Sequence, residues 1–252
     1  MAKTLNIVIP MAGRGSRFQD AGYAFPKPLI DVNGKTMIEV VVNNLRPSVP
    51  YKFIFICQKE HYDTYDLYNI LKNATKDKFE IVKINGVTEG AACTVLTAAQ
   101  YIDNDDDLII ANSDQYIQTN FDEFIEEARA SEKDGVIMTF KASHPKWSYA
   151  RVDKDNTVTE VAEKRVISDK ATVGIYYFKH GSDFVKAAQD MIHKRIKHNN
   201  EYYVCPAYNE LILKDQKIGV HDIAVDKMHG LGTPEDLNAF LNKVSQKIIA
   251  DV

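Results

Sequence analysis

Short apolar runs alternate with amphipathic stretches through the first half of the chain. Leu5-Asn6-Ile7-Val8-Ile9 and Lys52-Phe53-Ile54-Phe55-Ile56 are nearly continuous in aliphatic and aromatic residues, the pattern of parallel strands covered on both faces. Strand signals over 5–10, 51–57, 79–84 and 108–111 are separated by amphipathic stretches over 37–45, 60–74 and 90–101. This alternation predicts a parallel sheet with crossover helices, the first two of these strands near its centre.

A helix is predicted over 121–130. Strand-like runs over 135–140, 149–152, 158–162 and 172–178 then follow with few helices between them, predicting a mixed or antiparallel extension. The last segment opens with Thr233 as an N-cap, Pro234 at the first helical position and Glu235-Asp236 in the first turn. Leu237, Phe240, Leu241, Val244 and Ile248 then form one apolar face. No internal repeat and no linker rich in Gly, Pro or Ser interrupts the chain. The expected architecture is therefore α/β, with a Rossmann-like, mostly parallel central sheet, flanking helices and a small mixed-strand substrate lobe. One domain is expected over 1–252, with a nucleotide-binding half (1–130), a substrate-binding half (131–232) and a closing helix (233–252).

The 252 residues are 45% hydrophobic and 26% charged, which excludes wholesale disorder. Lys and Arg number 31 against 35 Asp and Glu, so no global basic field exists to hold a nucleic acid, and any phosphate chemistry must use a few local cations. No apolar run approaches the roughly 20 residues that span a bilayer, so no membrane partner and a cytoplasmic location are expected. Cys57, Cys93 and Cys205 are odd in number and lack metal-ligand spacing, reading as reduced thiols rather than a zinc site. His144, His193, His198, His221 and His229 likewise lack ligand spacing, and none is assigned.

Directly after the first strand runs Pro10-Met11-Ala12-Gly13-Arg14-Gly15-Ser16-Arg17-Phe18. Small residues there let backbone N–H groups approach a phosphate chain. The loop is not the dinucleotide fingerprint, whose third glycine would fall at Phe18, and no Gly-Lys-Ser/Thr follows to make a P-loop. Its distinguishing feature is charge: Arg17 ends the loop, and Lys27 stands between Pro26 and Pro28, which restrict the backbone around it. Two cations beside an anion-binding loop suit transfer of a phosphoryl-type group. The alternative is a glycine-rich connection with two solvated basic side chains.

In Leu108-Ile109-Ile110-Ala111-Asn112-Ser113-Asp114, a carboxylate falls just beyond a predicted strand, where ligands sit in open α/β sheets. Such a group suits Mg²⁺ bridged to nucleotide phosphates. The alternative for Asp114 is to cap the helix beginning near Phe121 or to form an Asx turn.

Taken together, the motifs resemble the sugar-1-phosphate nucleotidyltransferases, the pyrophosphorylases that make nucleoside-diphosphate sugars. Their pattern of strand, G-x-G-[ST]-R, K-P and G-K-P is matched by Gly13–Arg17, Lys27-Pro28 and Gly34-Lys35-Thr36. Glu89-Gly90-Ala91-Ala92 is similar to the base-contacting segment, Asp114 to the metal aspartate, Tyr149-Ala150 to the Tyr-Gly of the sugar pocket, and Glu163-Lys164 to the Glu-Lys-Pro that contacts the sugar and its phosphate. Gly174-Ile175-Tyr176 and Leu231-Gly232-Thr233-Pro234 extend the match over roughly residues 5 to 242.

The resemblance implies a fold like that of nucleotide-diphospho-sugar transferases. It implies catalytic roles for Arg17 and Lys27 and for Asp114 with Mg²⁺. Nucleotide contacts are implied for Met11, Ala12, Gly13, Arg14, Gly15, Ser16, Asn85, Glu89, Gly90 and Ser113, and acceptor contacts for Tyr149, Glu163, Lys164 and Gly174. The reaction joins an NTP to a phosphorylated small molecule and releases pyrophosphate, with CTP, UTP or dTTP as donor and capsule or surface-glycan precursors as product. The rival classes are a glycosyltransferase and a non-catalytic nucleotide-sugar sensor.

Several positions depart from the pattern. Gly230 stands where a second metal aspartate is expected, Asn85 where thymidylyl-transferring members have Gln, and Arg165 where Pro follows Glu-Lys. At this length the chain is read as a compact form without an added β-helix domain, and a homo-oligomer is the default. Trp147 is read as core or pocket wall, and the aromatic cluster 202–208 as substrate wall or dimer contact.

Overall fold

The structure is a computed structural model in which residues 3–249 and 252 are described. The strands of its main sheet are β1 (Leu5–Pro10), β4 (Tyr51–Gln58), β5 (Phe79–Ile84), β6 (Asp107–Ala111), β8 (Gly135–Lys141), β9 (Ser148–Val152), β10 (Val158–Glu163), β11 (Lys170–Phe178) and β12 (Ile218–Ile223). Two small antiparallel pairs stand apart, β2 (Asp31–Val32) with β3 (Lys35–Thr36), and β7 (Gln115–Ile117) with β13 (Met228–Gly230).

The order β5-β4-β1-β6 is parallel throughout. β11 then joins β6 antiparallel, β8 lies on its other side and β12 pairs parallel with β8. The β9–β10 hairpin attaches at the start of β11, through Ala171 and Tyr149. The mixed strands thus continue the parallel sheet instead of folding away from it. β1 lies centrally as expected, whereas β4 is one strand from the edge. Its unbroken apolar run is explained by helices on both faces: Phe53 and Phe55 enter one core, Ile54 and Ile56 the other.

Two amphipathic stretches divide. The first gives helices Lys59–Thr64 and Leu67–Thr75, broken at Asp66 with φ 27°, which lets Tyr65 meet Phe25 edge-on while Leu67 and Leu71 enter the core. The second gives Ala91–Leu96 and Ala99–Ile102. Helix Phe121–Ala130 forms as expected, but its N-cap is Asn120, whose side chain accepts from the Asp122 N–H. Asp114 is therefore free of that capping role. The closing helix is Pro234–Ser245, with the Thr233 hydroxyl accepting from the Asp236 N–H at 3.1 Å. Leu237 and Phe240 are buried, each worth about 1.5–3 kcal/mol. Ile248 lies past the helix and is exposed, and Ile249 is buried in its stead; positions 250 and 251 of the expected 233–252 segment lie outside the described residues. Among the described residues, no helix is long and apolar enough to cross a membrane.

Candidate active site

The carboxyl ends of β1 and β6 open on a cavity of about 450 Å³. β1 delivers the glycine loop to its rim. Met11 is tied to the sheet by its N–H to the Ile56 carbonyl, and the Ala12 carbonyl accepts from Gln58 Nε2 at 2.8 Å. Gly15 has φ 64°, a left-handed conformation that favours glycine, and a Cβ there would lie 3.1 Å from Lys27 Cβ. The glycine thus lets the loop and the Pro26-Lys27-Pro28 turn meet.

Lys27 reaches across to Asp114, Nζ to Oδ2 at 2.5 Å, with both side chains about a quarter exposed or less. Asp114 is placed by β6 and by its carbonyl, which accepts from the Leu231 N–H. Gly232 passes beside it: a Cβ there would lie 2.8 Å from Asp114 Oδ2. Arg17 lines the same cavity. The structure therefore gathers Arg17 and Lys27, from one N-terminal stretch, and the distant Asp114 around one space.

The opposite wall comes from the mixed strands. Glu163, at the end of β10, is buried and accepts a hydrogen bond from the Ser148 hydroxyl. Burial raises its pKa, against the lowering effects of Ser148 and Lys164. Lys164 follows in a left-handed turn, φ 50°, and its ammonium donates to the Tyr203 hydroxyl at 2.7 Å. Gly174, φ 92°, interrupts the β8–β11 register. Its carbonyl accepts from the Asn112 N–H and from Gln115 Nε2, and a Cβ there would strike both side chains.

Of the residues singled out from sequence, Met11, Gly13, Gly15, Arg17, Lys27, Ser113, Asp114, Glu163, Lys164 and Gly174 line the cavity. Arg14 and Ser16 are exposed outside its lining, and Ala12 is buried behind the loop. Asn85 and Glu89 are exposed beyond the wall, and Glu89 pairs with Lys197. Gly90 packs on the Tyr202 backbone while its neighbour Ala91 reaches the cavity.

Tyr149 departs from the expected pocket contact: it is fully buried in the core and its hydroxyl donates to the His144 carbonyl at 2.7 Å. Strand alternation is the reason, because Ser148, one residue earlier, turns to the cavity. Arg165 points away and pairs with Glu160 at 2.6 Å. Lys146, Thr172 and Asp236, which no sequence reading places at the site, also line it. Tyr203 and Cys205, from the cluster read as substrate wall or dimer contact, line it too, and Trp147 both lines it and packs against the core.

This is an α/β protein whose ligand crevice lies beyond the carboxyl ends of the central parallel strands. The nucleotidyl transferase family model matches residues 7–227, and the chain belongs to that family. The nucleoside-diphosphate-sugar pyrophosphorylase of Vibrio cholerae RC9 is 28% identical, with a TM-score of 0.80 over 94% of this chain and 99% of that one. The inositol-1-phosphate CTP transferase of T. maritima, at 14% identity, TM-score 0.76 and coverage of 100% and 98%, shares the fold. The bifunctional protein GlmU of Methanocaldococcus jannaschii is 24% identical over 98% of this chain and 56% of its own length. The chain spans about half the length of the curated relatives it matches.

Proposed function

We propose that the protein is a Mg²⁺-dependent nucleotidyltransferase. It joins the nucleoside monophosphate unit of an NTP, with CTP, UTP or dTTP favoured, to a sugar-1-phosphate or similar phosphorylated small molecule. The observation that carries this reading is the contact of Lys27 with Asp114 at 2.5 Å, in a cavity that the glycine loop enters on one side and Glu163-Lys164 on the other.

In this reading the loop amides and Arg17 hold the β- and γ-phosphates, and Lys27 neutralises the α-phosphate. Lys164 holds the acceptor's phosphate, and Glu163 accepts from its hydroxyls. An acceptor phosphate oxygen, already anionic near neutral pH, attacks the α-phosphorus. The new P–O bond forms as the bond to the β-phosphate oxygen breaks, and its electron pair leaves on pyrophosphate beside Arg17. No protein nucleophile or general base is required, so catalysis is positioning and charge stabilisation.

Magnesium fits this donor set. Asp114 presents a hard carboxylate to the cavity, the Lys27 ammonium already stands against it as a cation, and Gly232 keeps the adjacent space clear. Asp114 would hold the ion, which would supply charge neutralisation on the triphosphate. The pyrimidine preference rests on the sequence resemblance alone, since Asn85, just past β5, is exposed outside the cavity lining.

The nucleotide-binding half would be 1–130 and the acceptor half 131–232. We place the enzyme in the cytoplasm with its NTP supply, as a homo-oligomer, providing capsule or surface-glycan precursors.

Pyrophosphate release assayed over a matrix of NTPs and phosphorylated acceptors tests the proposal. Mg²⁺-dependent release with at least one pyrimidine NTP and one acceptor is expected. Absence of release across the matrix would refute it in favour of a sensor, and turnover of a preformed nucleotide sugar alone would favour a glycosyltransferase.

A further inference from the structure

The segment 202–205 is docked on both sides of the cavity. Toward the nucleotide side, the Tyr202 N–H donates to the Glu89 carbonyl at 2.7 Å, and the Tyr202 carbonyl accepts from the Ala92 N–H at 3.0 Å. Gly90, φ 127°, passes so close that any side chain there would meet the Tyr202 backbone. Lys197 sits 4.7 Å from the centroid of the Tyr202 ring and pairs with Glu89, clamping the loop from outside. The anchored backbone then turns Tyr203 toward the other wall. There the Lys164 ammonium donates to the Tyr203 hydroxyl at 2.7 Å and lies 4.7 Å from its ring centroid.

We propose that Tyr203 is a positioning residue that aims the Lys164 ammonium at the phosphate of the acceptor. This rests on the nucleotidyltransferase reading above, in which Lys164 holds that phosphate. The chemistry is that of a flexible cation given a fixed seat. An ammonium has three donors on a rotamer-rich stem. One donor is committed to the Tyr203 oxygen, leaving two donors for phosphate oxygens. Lys164 also has its backbone fixed, since its left-handed turn is held by its N–H to the Trp147 carbonyl at 3.1 Å. Burial first, and then the neighbouring Glu201 carboxylate, raise the Tyr203 pKa, so the hydroxyl seats the ammonium as a neutral phenol and adds no negative charge beside the acceptor phosphate. Because the same segment is hydrogen-bonded to Glu89 and Ala92, the seat of the acceptor lysine is built on the segment beside the nucleotide.

Trp147 is the single tryptophan of the chain and lines the cavity beside Lys164, so its fluorescence reports on this end of the site without turnover. The full-length protein is titrated with inorganic phosphate as the probe, alongside Tyr203→Phe, Tyr203→Leu, Lys164→Ala and the Lys164→Ala/Tyr203→Leu double variant. Each is checked for a native unfolding transition. Tyr203→Phe keeps the ring but loses the oxygen and should weaken phosphate binding several-fold; Tyr203→Leu should weaken it about ten-fold, close to Lys164→Ala. The double variant should lose nothing beyond Lys164→Ala. A response that Lys164→Ala abolishes and Tyr203→Leu leaves at wild-type strength would overturn the positioning role alone. No response from the wild type, or one that survives Lys164→Ala, would overturn the acceptor-site reading and the proposal with it.

Discussion

Gly232→Ala is the smallest change that separates the chemistry of the cavity from its architecture. The added methyl would lie 2.8 Å from Asp114 Oδ2, and nothing else but Asp114 Cγ, at 3.6 Å, lies within 4 Å. To reach ordinary contact near 3.4 Å the carboxylate oxygen must retreat by about 0.6 Å. Gly232 is not at positive φ, so alanine brings no backbone strain. The displaced atom is the end of a side chain facing the cavity, so the cost to folding should be below about 1 kcal/mol. The same 0.6 Å is large for the reaction, since it moves the partner of Lys27 and the carboxylate that would bear Mg²⁺. Misplacement on this scale costs up to about 10²-fold in rate. Pyrophosphate release at fixed NTP and acceptor, with thermal unfolding as a control, should show kcat/KM down by about 10- to 100-fold and an almost unchanged Tm. A variant that turns over like the wild type would refute the reasoning that the Asp114 carboxylate acts at this position.

Arg17→Ala and Lys27→Ala should each lower kcat/KM by about 10²-fold or more while the protein still unfolds cooperatively, as loss of preorganised charge predicts; steady-state kinetics paired with calorimetry checks both. Gly174→Ala acts on folding instead: φ 92° is strained for any side chain and the Asn112 and Gln115 side chains occupy the space, so denaturant titration should show a loss of about 2–4 kcal/mol. His229 gives a pH signature. Burial, reinforced by Lys243, lowers its pKa from 6.5 to about 4, so between these values the unfolded chain binds more protons than the native one. Its contribution is complete above pH 6.5 and is lost as pH falls toward 4. Replacement by Phe, against Tyr116 and Phe240, should flatten Tm over that window.

What could be read ahead of the structure follows from the range of the interactions. β1 and the start of the Thr233-capped helix are local patterns, set by an apolar run and by an adjacent cap and proline; β1 forms where expected, and the helix begins where expected but ends at Ser245. The β2–β3 hairpin is equally local, its turn residues Asn33 and Gly34 both at positive φ. Arg17, Lys27 and Asp114 were legible because glycine, proline and a strand-end acid mark their positions. Tyr203 stands out only within an aromatic cluster open to two readings and Asp236 only as a first-turn helix acid; their partners, Lys164 for Tyr203 and Lys146 for Asp236 at 3.9 Å, lie far away in sequence. Tyr149 shows the opposite failure. A motif placed it in the pocket, and the two-residue period of β9 turned it into the core.

The most direct measurement is a crystal structure of the protein bound to a non-hydrolysable pyrimidine nucleoside triphosphate with Mg²⁺. The α-phosphate is expected beside Lys27, with the ion on Asp114, the pyrophosphate portion against the glycine loop and Arg17, and open space toward Lys164. A triphosphate bound away from Lys27 and Asp114 would contradict the account.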